Sequence, residues 1–267
     1  MTIAFKWEKI REEQPLIHHI TNYVTVTDCA NITLACGASP VMAHAPEEVS
    51  EMVAHSQALV LNIGTLSQSL IESMIRAAKT ANQKQVPIVL DPVGVGATTF
   101  RLQTVQELLR QVQFTVIRGN ASEIATLCGF REGKGVDAID TELKQFIPQV
   151  RKLAKQLQTV IAVSGEVDYI TDGTQEAQIT NGTELLTKVT GTGCMTTALI
   201  GCCLGAGIPP FTSAITSLLV MGLVGEWAEG LVEADNVGSF RTYLFDGFAK
   251  MNNQWLQKKG KVYVTAG

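Results

Sequence analysis

The chain has 267 residues, of which 46% are hydrophobic, and it carries a formal net charge of −4 at pH 7. This length suits one α/β domain with a large sheet, and the acidic balance disfavours a nucleic-acid partner, which needs clustered Lys and Arg. The charged N-terminus lacks the apolar core of a signal peptide, and no run of about 20 uninterrupted apolar residues indicates a membrane span. We therefore expect a single cytoplasmic domain over residues 1–267, with no membrane partner.

The apolar and polar residues alternate in a pattern that predicts strands and helices in turn along the whole chain. Strands are predicted at residues 15–22, 39–42, 58–64, 87–94, 114–120, 160–165, 168–171, 176–180 and 262–264. Helices are predicted at residues 7–13 and 29–37, from residue 46 onward, and at 68–82, 101–111, 121–128, 142–157, 195–207, 211–231 and 239–258, and a glycine-containing loop at 133–140. The repeated strand–helix order predicts an α/β fold with a large, mainly parallel central sheet and helices on both faces. The Asp172-Gly173 pair predicts a hairpin, which adds an antiparallel part.

Polar residues and glycines stand where the predicted strands end. Ligands of open parallel sheets bind at the carboxyl ends of the strands, so these residues are expected along one rim. They are Asn22, Met42, Gly64, Asp91, Arg118, Asn120 and Ser164, together with the loop at Gly191.

The loop at residues 189–194, Val-Thr-Gly-Thr-Gly-Cys, precedes a long apolar helix. The unpaired N–H groups of a helix N-terminus and the helix dipole bind anions, typically phosphate. We expect Gly191, Thr192, Gly193 and Cys194 to form such an anion hole, with Cys194 on the first helical turn. The alternative is that the two glycines only form a tight loop before a core helix.

Cys194 differs from the other cysteines, which stand in apolar surroundings without a zinc-ligand spacing and are interpreted as core residues of a reducing compartment. These are Cys29, Cys36, Cys128, Cys202 and Cys203. The adjacent His18 and His19 also disfavour a metal site, because neighbouring residues on a strand point to opposite faces.

Two acids and one arginine on the rim are candidates for phosphate chemistry. Asp91 ends a buried strand and Glu123 lies on the first turn of a helix, and two carboxylates can hold a hydrated Mg²⁺ beside phosphate oxygens. The guanidinium of Arg118 matches phosphate oxygens in a bidentate manner. Alternatives remain for each residue: Asp91 as a turn residue, Glu123 in a capping arrangement with Asn120, and Arg118 in a salt bridge to Glu123.

The sequence lacks the Walker-type phosphate loop, the dinucleotide-binding fingerprint and the serine hydrolase elbow. Six motifs in this order resemble those of the hydroxyethylthiazole kinases, a family of the ribokinase-like group. They are Ile-Thr-Asn-Tyr-Val (20–24), Ser-Pro-Val-Met (39–42), Leu-Asn-Ile-Gly-Thr (61–65), Leu-Asp-Pro-Val-Gly-Val-Gly (90–96), Arg-Gly-Asn-Ala-Ser-Glu (118–123) and Val-Thr-Gly-Thr-Gly-Cys (189–194). The resemblance covers nearly the whole chain.

This resemblance implies a ribokinase-like fold and ATP-dependent phosphorylation of 4-methyl-5-(2-hydroxyethyl)thiazole in thiamine biosynthesis. It places Mg²⁺ at Asp91 and Glu123. Arg118, Asn120 and Ser164 are implied at the ATP site; relatives often have Thr in place of Ser164. For the thiazole site it implies Asn22, Met42 and Gly191. It also implies a homotrimer with the thiazole pocket at a subunit boundary, which would explain the apolar rim residues Val24 and Met42.

Cys194 matches the position where other ribokinase-like enzymes carry Asp as the catalytic base. A helix N-terminus lowers the pKa of a thiol, whereas bound phosphate raises it. We therefore expect the backbone N–H groups and Mg²⁺ to carry most of the catalysis, with Cys194 assisting. The alternatives are a hydroxymethylpyrimidine kinase of the same fold, a dehydratase that repairs hydrated nicotinamide cofactors, which would have Asp in place of Cys194, and a ligand-binding regulator.

Overall fold

The computed structural model describes residues 3–130, 139–233 and 235–266, and in these ranges nine strands form one sheet. The strands are Leu16–Ile20 (β1), Ser39–Val41 (β2), Ala58–Asn62 (β3), Ile88–Asp91 (β4), Val116–Asn120 (β5), Val160–Ser164 (β6), Asp168–Thr171 (β7), Gln175–Ile179 (β8) and Val262–Ala266 (β9). The helices are Lys9–Glu13 (α1), Val26–Ala35 (α2), Val49–Ala54 (α3), Gln68–Lys84 (α4), Thr99–Gln111 (α5), Ala121–Leu127 (α6), Ile139–Leu157 (α7), Thr192–Gly205 (α8), Pro210–Glu229 (α9), Val237–Lys250 (α10) and Asn253–Lys259 (α11).

The sheet has the strand order β2-β1-β3-β4-β5-β6-β7-β8-β9. The pairs from β2 to β6 are parallel, and β7, β8 and β9 are antiparallel to their neighbours. The predicted α/β fold with a mainly parallel sheet and an antiparallel hairpin is therefore confirmed. Because the parallel strands share one direction, their carboxyl ends meet at a single rim.

The central strands are apolar up to the polar residues near their carboxyl ends, and the sheet is buried on both faces. In β3, Ala58 and Val60 face a core formed with α1, α2 and α8 to α11. Leu59 and Leu61 face a second core, formed with α3 to α7. Strands that alternate between two buried faces read as continuous apolar runs, as the sequence indicated.

The segment at residues 189–194, here called the glycine loop, leads into two helices, α8 and α9, which lie inside the first core. Gly201 allows α8 to approach the sheet, because a Cβ at this position would lie 2.6 Å from Cγ2 of Val60. By length and composition alone α9 could cross a membrane, but 78% of its apolar window is buried inside the fold. We therefore interpret α9 as a buried core helix, since such helices can be as long and as apolar as membrane-spanning ones.

The predicted single helix at residues 239–258 is wrong, since the structure has two helices, α10 and α11. Asn252 separates them by capping α11, with its side chain accepting the N–H of Trp255 at 2.8 Å. Arg11 donates to the carbonyls of Met251 and Ala249 at 2.9 and 2.7 Å, which holds the chain between the helices. Because Arg11 is about 240 positions away in the chain, the local periodicity of residues 239–258 does not predict this break.

Other differences from the predicted elements are small. The helix expected from Pro46 begins at Val49, and a short 3₁₀ helix, Glu184–Lys188, was not predicted. Most of the predicted loop at 133–140 lies outside the described residues; its last two residues, 139 and 140, begin α7.

Candidate active site

The carboxyl ends of the parallel strands bring the predicted polar residues to one rim. Register pairs Asn62 with Asp91 across β3 and β4, and Asn120 with Ser164 across β5 and β6. Asn22 follows β1 on the same side. The N-terminus of α8, which begins at Thr192, packs against this part of the sheet.

A chain of amide hydrogen bonds connects three rim residues. Nδ2 of Asn22 donates to Oδ1 of Asn62 at 2.9 Å, and Nδ2 of Asn62 donates to Oδ2 of Asp91 at 2.9 Å. Asn62 is a further candidate site residue, which the sequence analysis left out although it stands in one of the quoted motifs. The signal that could have found it is a polar amide at the end of a fully buried strand, next to Asp91 in register.

Asp91 is a fully buried acid that is only partly satisfied. Its Oδ2 also accepts the hydroxyl of Thr197 at 2.8 Å, whereas Oδ1 has no partner. Burial raises the pKa of the Asp91 carboxyl to about 6; Arg118 acts in the opposite direction and Glu123 adds to the rise. Buried polar atoms normally have partners, so the free oxygen indicates a place where a ligand or ion can bind.

Cys194 joins the same network. Its Sγ accepts from Nδ2 of Asn62 at 3.2 Å and from Nδ2 of Asn22 at 3.4 Å. The lower thiol pKa expected at a helix N-terminus is not what the structure gives. Burial raises the pKa of Cys194, and the carboxylate of Asp91 raises it further.

Glu123 and Asn120 form a capping box at the start of α6, as the alternative interpretation held. The side chain of Asn120 accepts the N–H of Glu123 at 2.9 Å, and Oε2 of Glu123 accepts the N–H of Asn120 at 2.8 Å. Oε1 of Glu123 also accepts the N–H of Gly94 at 2.9 Å. These bonds hold the Glu123 carboxylate against the loop that follows β4 and Asp91.

Arg118 is a buried cation without a carboxylate partner. Its Nη2 donates to Oγ of Ser164 at 2.6 Å, and its Nε has no partner. Among the described residues no carboxylate oxygen lies within 4.0 Å of the guanidinium, so the alternative of a salt bridge to Glu123 is wrong. A buried Arg normally has a counter-ion, so an anion is expected to bind here.

The guanidinium of Arg118 lies against the glycine loop. A Cβ on Gly193 would lie 2.6 Å from Nη1 of Arg118, so a larger residue at this position would displace the guanidinium. The first N–H groups of α8, from Thr192 to Cys194, have no carbonyl partner within the helix. The loop and Arg118 therefore present hydrogen-bond donors and positive charge to the same volume.

Gly191 has a left-handed conformation, with φ of +91°, and its position for a Cβ lies 2.7 Å from Cγ2 of Thr25. Replacing Gly191 with Ala is expected to lower the free energy of unfolding by about 1–3 kcal/mol, because strain and contact act together. Urea unfolding measures this effect. Gly238→Ala is the matched control, since nothing lies within 4 Å of its Cβ position on α10 and little loss is expected. Equal unfolding midpoints for wild type and Gly191→Ala would contradict the prediction.

A cleft of about 970 Å³ opens beside Arg118, between the rim of β5 to β7 and the helices α8 and α9. It is lined by Arg118, Ser164, Thr192 and Gly193, among the predicted residues. Its lining further includes Glu166, Asp168, Asn181, Thr183, Glu184, Leu186, Leu218 and Met221, which the sequence analysis did not single out.

The residues predicted for the thiazole alcohol lie outside this cleft. Asn22 and Met42 follow β1 and β2, which are further along the sheet than β5. Register pairs Val41 with His18, so Met42 follows at the edge of the sheet and packs against the first core. Gly191, the third residue predicted for the thiazole alcohol, directly precedes α8.

The adjacent histidines have separate partners, as expected for strand neighbours. Nε2 of His18 bonds the carbonyl of Ala43 at 2.7 Å, and Nε2 of His19 bonds the hydroxyl of Thr33 at 3.3 Å. In the described ranges no group of three or more His, Cys, Asp or Glu side chains is arranged to hold a metal.

Comparisons with known proteins identify one family. The model of the "Hydroxyethylthiazole kinase family" matches residues 7–254. A hydroxyethylthiazole kinase of Alkaliphilus oremlandii is 47% identical over 96% of this chain and 95% of its own length. The structure of a hydroxyethylthiazole kinase protein from Pyrococcus horikoshii superposes with a TM-score of 0.88 at 39% identity, covering 97% of each chain. A ribokinase-like superfamily protein of Enterococcus faecalis has the same fold, with a TM-score of 0.65 at 13% identity, over 94% of this chain and 98% of its own.

Proposed function

The chain belongs to the hydroxyethylthiazole kinase family, and we infer that it is an ATP-dependent kinase of thiamine salvage, which phosphorylates the hydroxyl of 4-methyl-5-(2-hydroxyethyl)thiazole. The observation that carries the phosphate chemistry is Arg118, which is buried, has no carboxylate partner among the described residues and contacts Gly193 at the start of α8. An arginine and a helix N-terminus directed at one volume are suited to bind phosphate.

ATP is proposed to bind in the cleft beside Arg118. Arg118 and Ser164 line it and would contact the phosphates. Asn120 would contact ATP from the rim of the sheet, although its side-chain oxygen already caps α6. Leu218 and Met221 of α9 give the cleft an apolar surface that would suit the adenine ring.

The thiazole alcohol is proposed to bind at the opposite side of the loop, near Asn22, Met42 and Gly191. Asn62 is added to this group, because it bonds to both Asn22 and Asp91. With ATP in the cleft, the acceptor hydroxyl would then face the terminal phosphate across the N-terminus of α8.

Mg²⁺ fits the donor set at Asp91 and Glu123. Asp91 has a buried oxygen without a partner, and the carboxylate of Glu123 is held in place by two backbone N–H groups. Two protein carboxylates with water and phosphate oxygens are a usual environment for this ion. Bound there, it would neutralise charge on the phosphates; Asp91 and Glu123 would hold it.

The chain's own groups would act on the transferred phosphoryl group and on the alcohol. The N–H groups from Gly191 to Cys194 form the proposed anion hole and stabilise charge as it develops. Cys194 Sγ is proposed to accept the proton of the alcohol. Its raised pKa makes the thiolate strongly basic but scarce, which agrees with an assisting role.

Replacing Cys194 with Ala is expected to lower kcat by about 10²-fold, at the low end of the range for general-base catalysis. Cys194→Asp should retain a higher rate than Cys194→Ala, since Asn22 and Asn62 can donate to a carboxylate at this position. Steady-state kinetics with saturating ATP and thiazole alcohol measure both. An unchanged kcat for Cys194→Ala would rule out the base, and a Cys194→Asp rate below that of Cys194→Ala would show that Asp cannot replace it.

Assembly and location are proposed as well. A homotrimer with the thiazole site at the subunit boundary is supported by the exposure of Tyr23 and Val24, 78% and 60%, directly after Asn22. Sedimentation showing a monomer at micromolar concentration would contradict it. We also propose that residues 1–267 form one domain and that the protein acts in the cytoplasm.

A hydroxymethylpyrimidine kinase of the same fold is the nearest alternative. One assay tests the assignment: ADP release from Mg·ATP, with the thiazole alcohol and a pyrimidine alcohol compared side by side. We expect turnover with the thiazole alcohol and much less or none with the pyrimidine alcohol. Preference for the pyrimidine alcohol would contradict the substrate, and turnover with neither would contradict the kinase.

A further inference from the structure

Asp168, the first residue of β7, is a buried acid that the proposed phosphoryl transfer does not use. Asp168 is 8% exposed and lines the cleft together with Arg118 and Ser164. Its Oδ1 accepts the N–H of Gly165 at 3.1 Å. Within the described ranges it has no ion-pair partner within 4.0 Å. A carboxyl group therefore faces a cleft proposed to receive the phosphates of a nucleotide.

The charged groups around Asp168 are few. Arg118 reaches the cleft from β5, Glu166 lines it from the loop before β7, and Glu184 lines it from the 3₁₀ helix. The residues that α9 contributes to the lining are uncharged. Asp91 and Glu123 lie further along the rim, on β4 and α6.

The charged pair near β7 on the other face does not reach the cleft. Arg151 and Glu176 form an ion pair at 2.8 Å between α7 and β8. The helix α7 packs in the second core with Tyr169, whereas Ile170 packs in the first core, on the side of α9. Among the described residues, Arg118 is thus the one cation that lines the cleft together with Asp168.

Burial raises the pKa of the Asp168 carboxyl to about 7, while the N–H of Gly165 and the charge of Arg118 act in the opposite direction. A phosphate bound to Arg118 would offset that charge and add a negative charge of its own in a partly desolvated site. Both effects raise the pKa of Asp168 further, since like charges disfavour ionisation. A neutral carboxyl, unlike a carboxylate, can donate a hydrogen bond to a phosphate oxygen.

We propose that Asp168 takes up one proton from solvent when nucleotide phosphates enter the cleft beside Arg118, and that the neutral carboxyl then donates a hydrogen bond to a phosphate oxygen. The proton returns to solvent when the nucleotide leaves, and no other bond changes. In its neutral form, Asp168 would thus contribute to phosphate binding instead of repelling the phosphate. This proposal rests on the proposed function only in placing the nucleotide in this cleft.

Calorimetry of ADP binding with Mg²⁺, without the thiazole alcohol, tests it near pH 8 in buffers of different ionisation enthalpy. Wild type is expected to take up close to one proton more than Asp168→Asn, which keeps the shape of the side chain and the acceptor for Gly165. Above about pH 7 the ADP affinity of wild type should fall by about tenfold per pH unit more than that of the variant. The nucleotide's own titration is common to both proteins and cancels in the difference.

Glu166→Gln is the matched control, because Glu166 lines the same cleft but is exposed. It removes one negative charge and should leave the proton uptake of wild type unchanged. Adenosine should bind without proton uptake, since it carries no phosphate. Asp168→Ser replaces Asp168→Asn if the latter does not fold.

Equal proton uptake by wild type and the Asp168 variant would overturn the proposal, as would uptake with adenosine or loss of uptake in Glu166→Gln. These results would leave the kinase assignment standing. Failure of wild type to bind ADP would overturn both, and is distinguished by the absence of any binding heat.

Discussion

Replacing Asp91 with Asn is expected to lower kcat by about 10³-fold while making the protein more stable at pH 7 to 8. The loss follows from the removal of a carboxylate proposed to hold Mg²⁺, which would neutralise charge on the phosphates. Asn retains an oxygen that can accept from Asn62 and Thr197, so the rim should keep its arrangement. Steady-state kinetics at saturating substrates measure the first effect.

The gain in stability follows from the sign of the pKa shift. The folded pKa of Asp91 is about 6, above the ordinary value of 3.8, so the folded state binds more protons than the unfolded state between these values. The free energy of unfolding therefore falls as pH rises from about 4 to 6, and Asp91→Asn removes this loss. The variant should be more stable above pH 6 by on the order of 2–3 kcal/mol.

Urea unfolding of wild type and Asp91→Asn at pH 4 and pH 8 measures this difference. Asp246→Asn is the control, because it makes the same change in charge at an exposed position on α10. The difference between wild type and Asp91→Asn should be small at pH 4 and large at pH 8. Full activity of Asp91→Asn would contradict its catalytic role, and equal stabilities at pH 8 would contradict the buried charge.

Replacing Arg118 with Ala is expected to lower kcat/KM for ATP by about 10³-fold or more, the range found for arginines that stabilise a transferring phosphoryl group. Arg118 is the buried cation between the cleft and the glycine loop, and no second cation lines the cleft in the described ranges. Arg118→Lys should recover little of this loss, because an ammonium cannot reproduce the bidentate fork.

Arg151→Ala is the control for Arg118, since it removes an arginine paired with Glu176 on the other face of the sheet. Its kcat/KM for ATP should remain within a few-fold of wild type. ADP binding by calorimetry separates lost affinity from lost chemistry. A wild-type kcat/KM in Arg118→Ala would place the phosphates elsewhere.

Local sequence patterns predicted most of the fold, because strands, helices and turns depend largely on the residues within each segment. Continuous apolar runs predicted the buried strands. The glycines of residues 189–194 predicted a turn, which the structure places at Gly191, with a positive φ, directly before α8. The break at Asn252 escaped the pattern, since the contacts from Arg11 that hold it come from the other end of the chain.

The candidate site was predictable only in part. Asp91, Arg118 and Ser164 were found because a polar residue at the end of an apolar strand is unusual, and the topology brings such ends together. Asn62 ends a strand in the same way but was passed over, and Asp168 begins a strand, where the rule gives no signal. The roles of all these residues remain predictions for the experiments above.

The sequence by itself determined the strand and helix order, the parallel sheet and the identity of the rim residues, because these depend on periodicity, on turn chemistry and on motifs. Tertiary structure decided the state of those residues. It set the raised pKa values of Asp91, Cys194 and Asp168 and the contact between Arg118 and Gly193. It also left the Arg118 guanidinium with no carboxylate oxygen within 4.0 Å among the described residues. Burial and charge proximity join residues distant in the chain, so they exist only once the fold has formed.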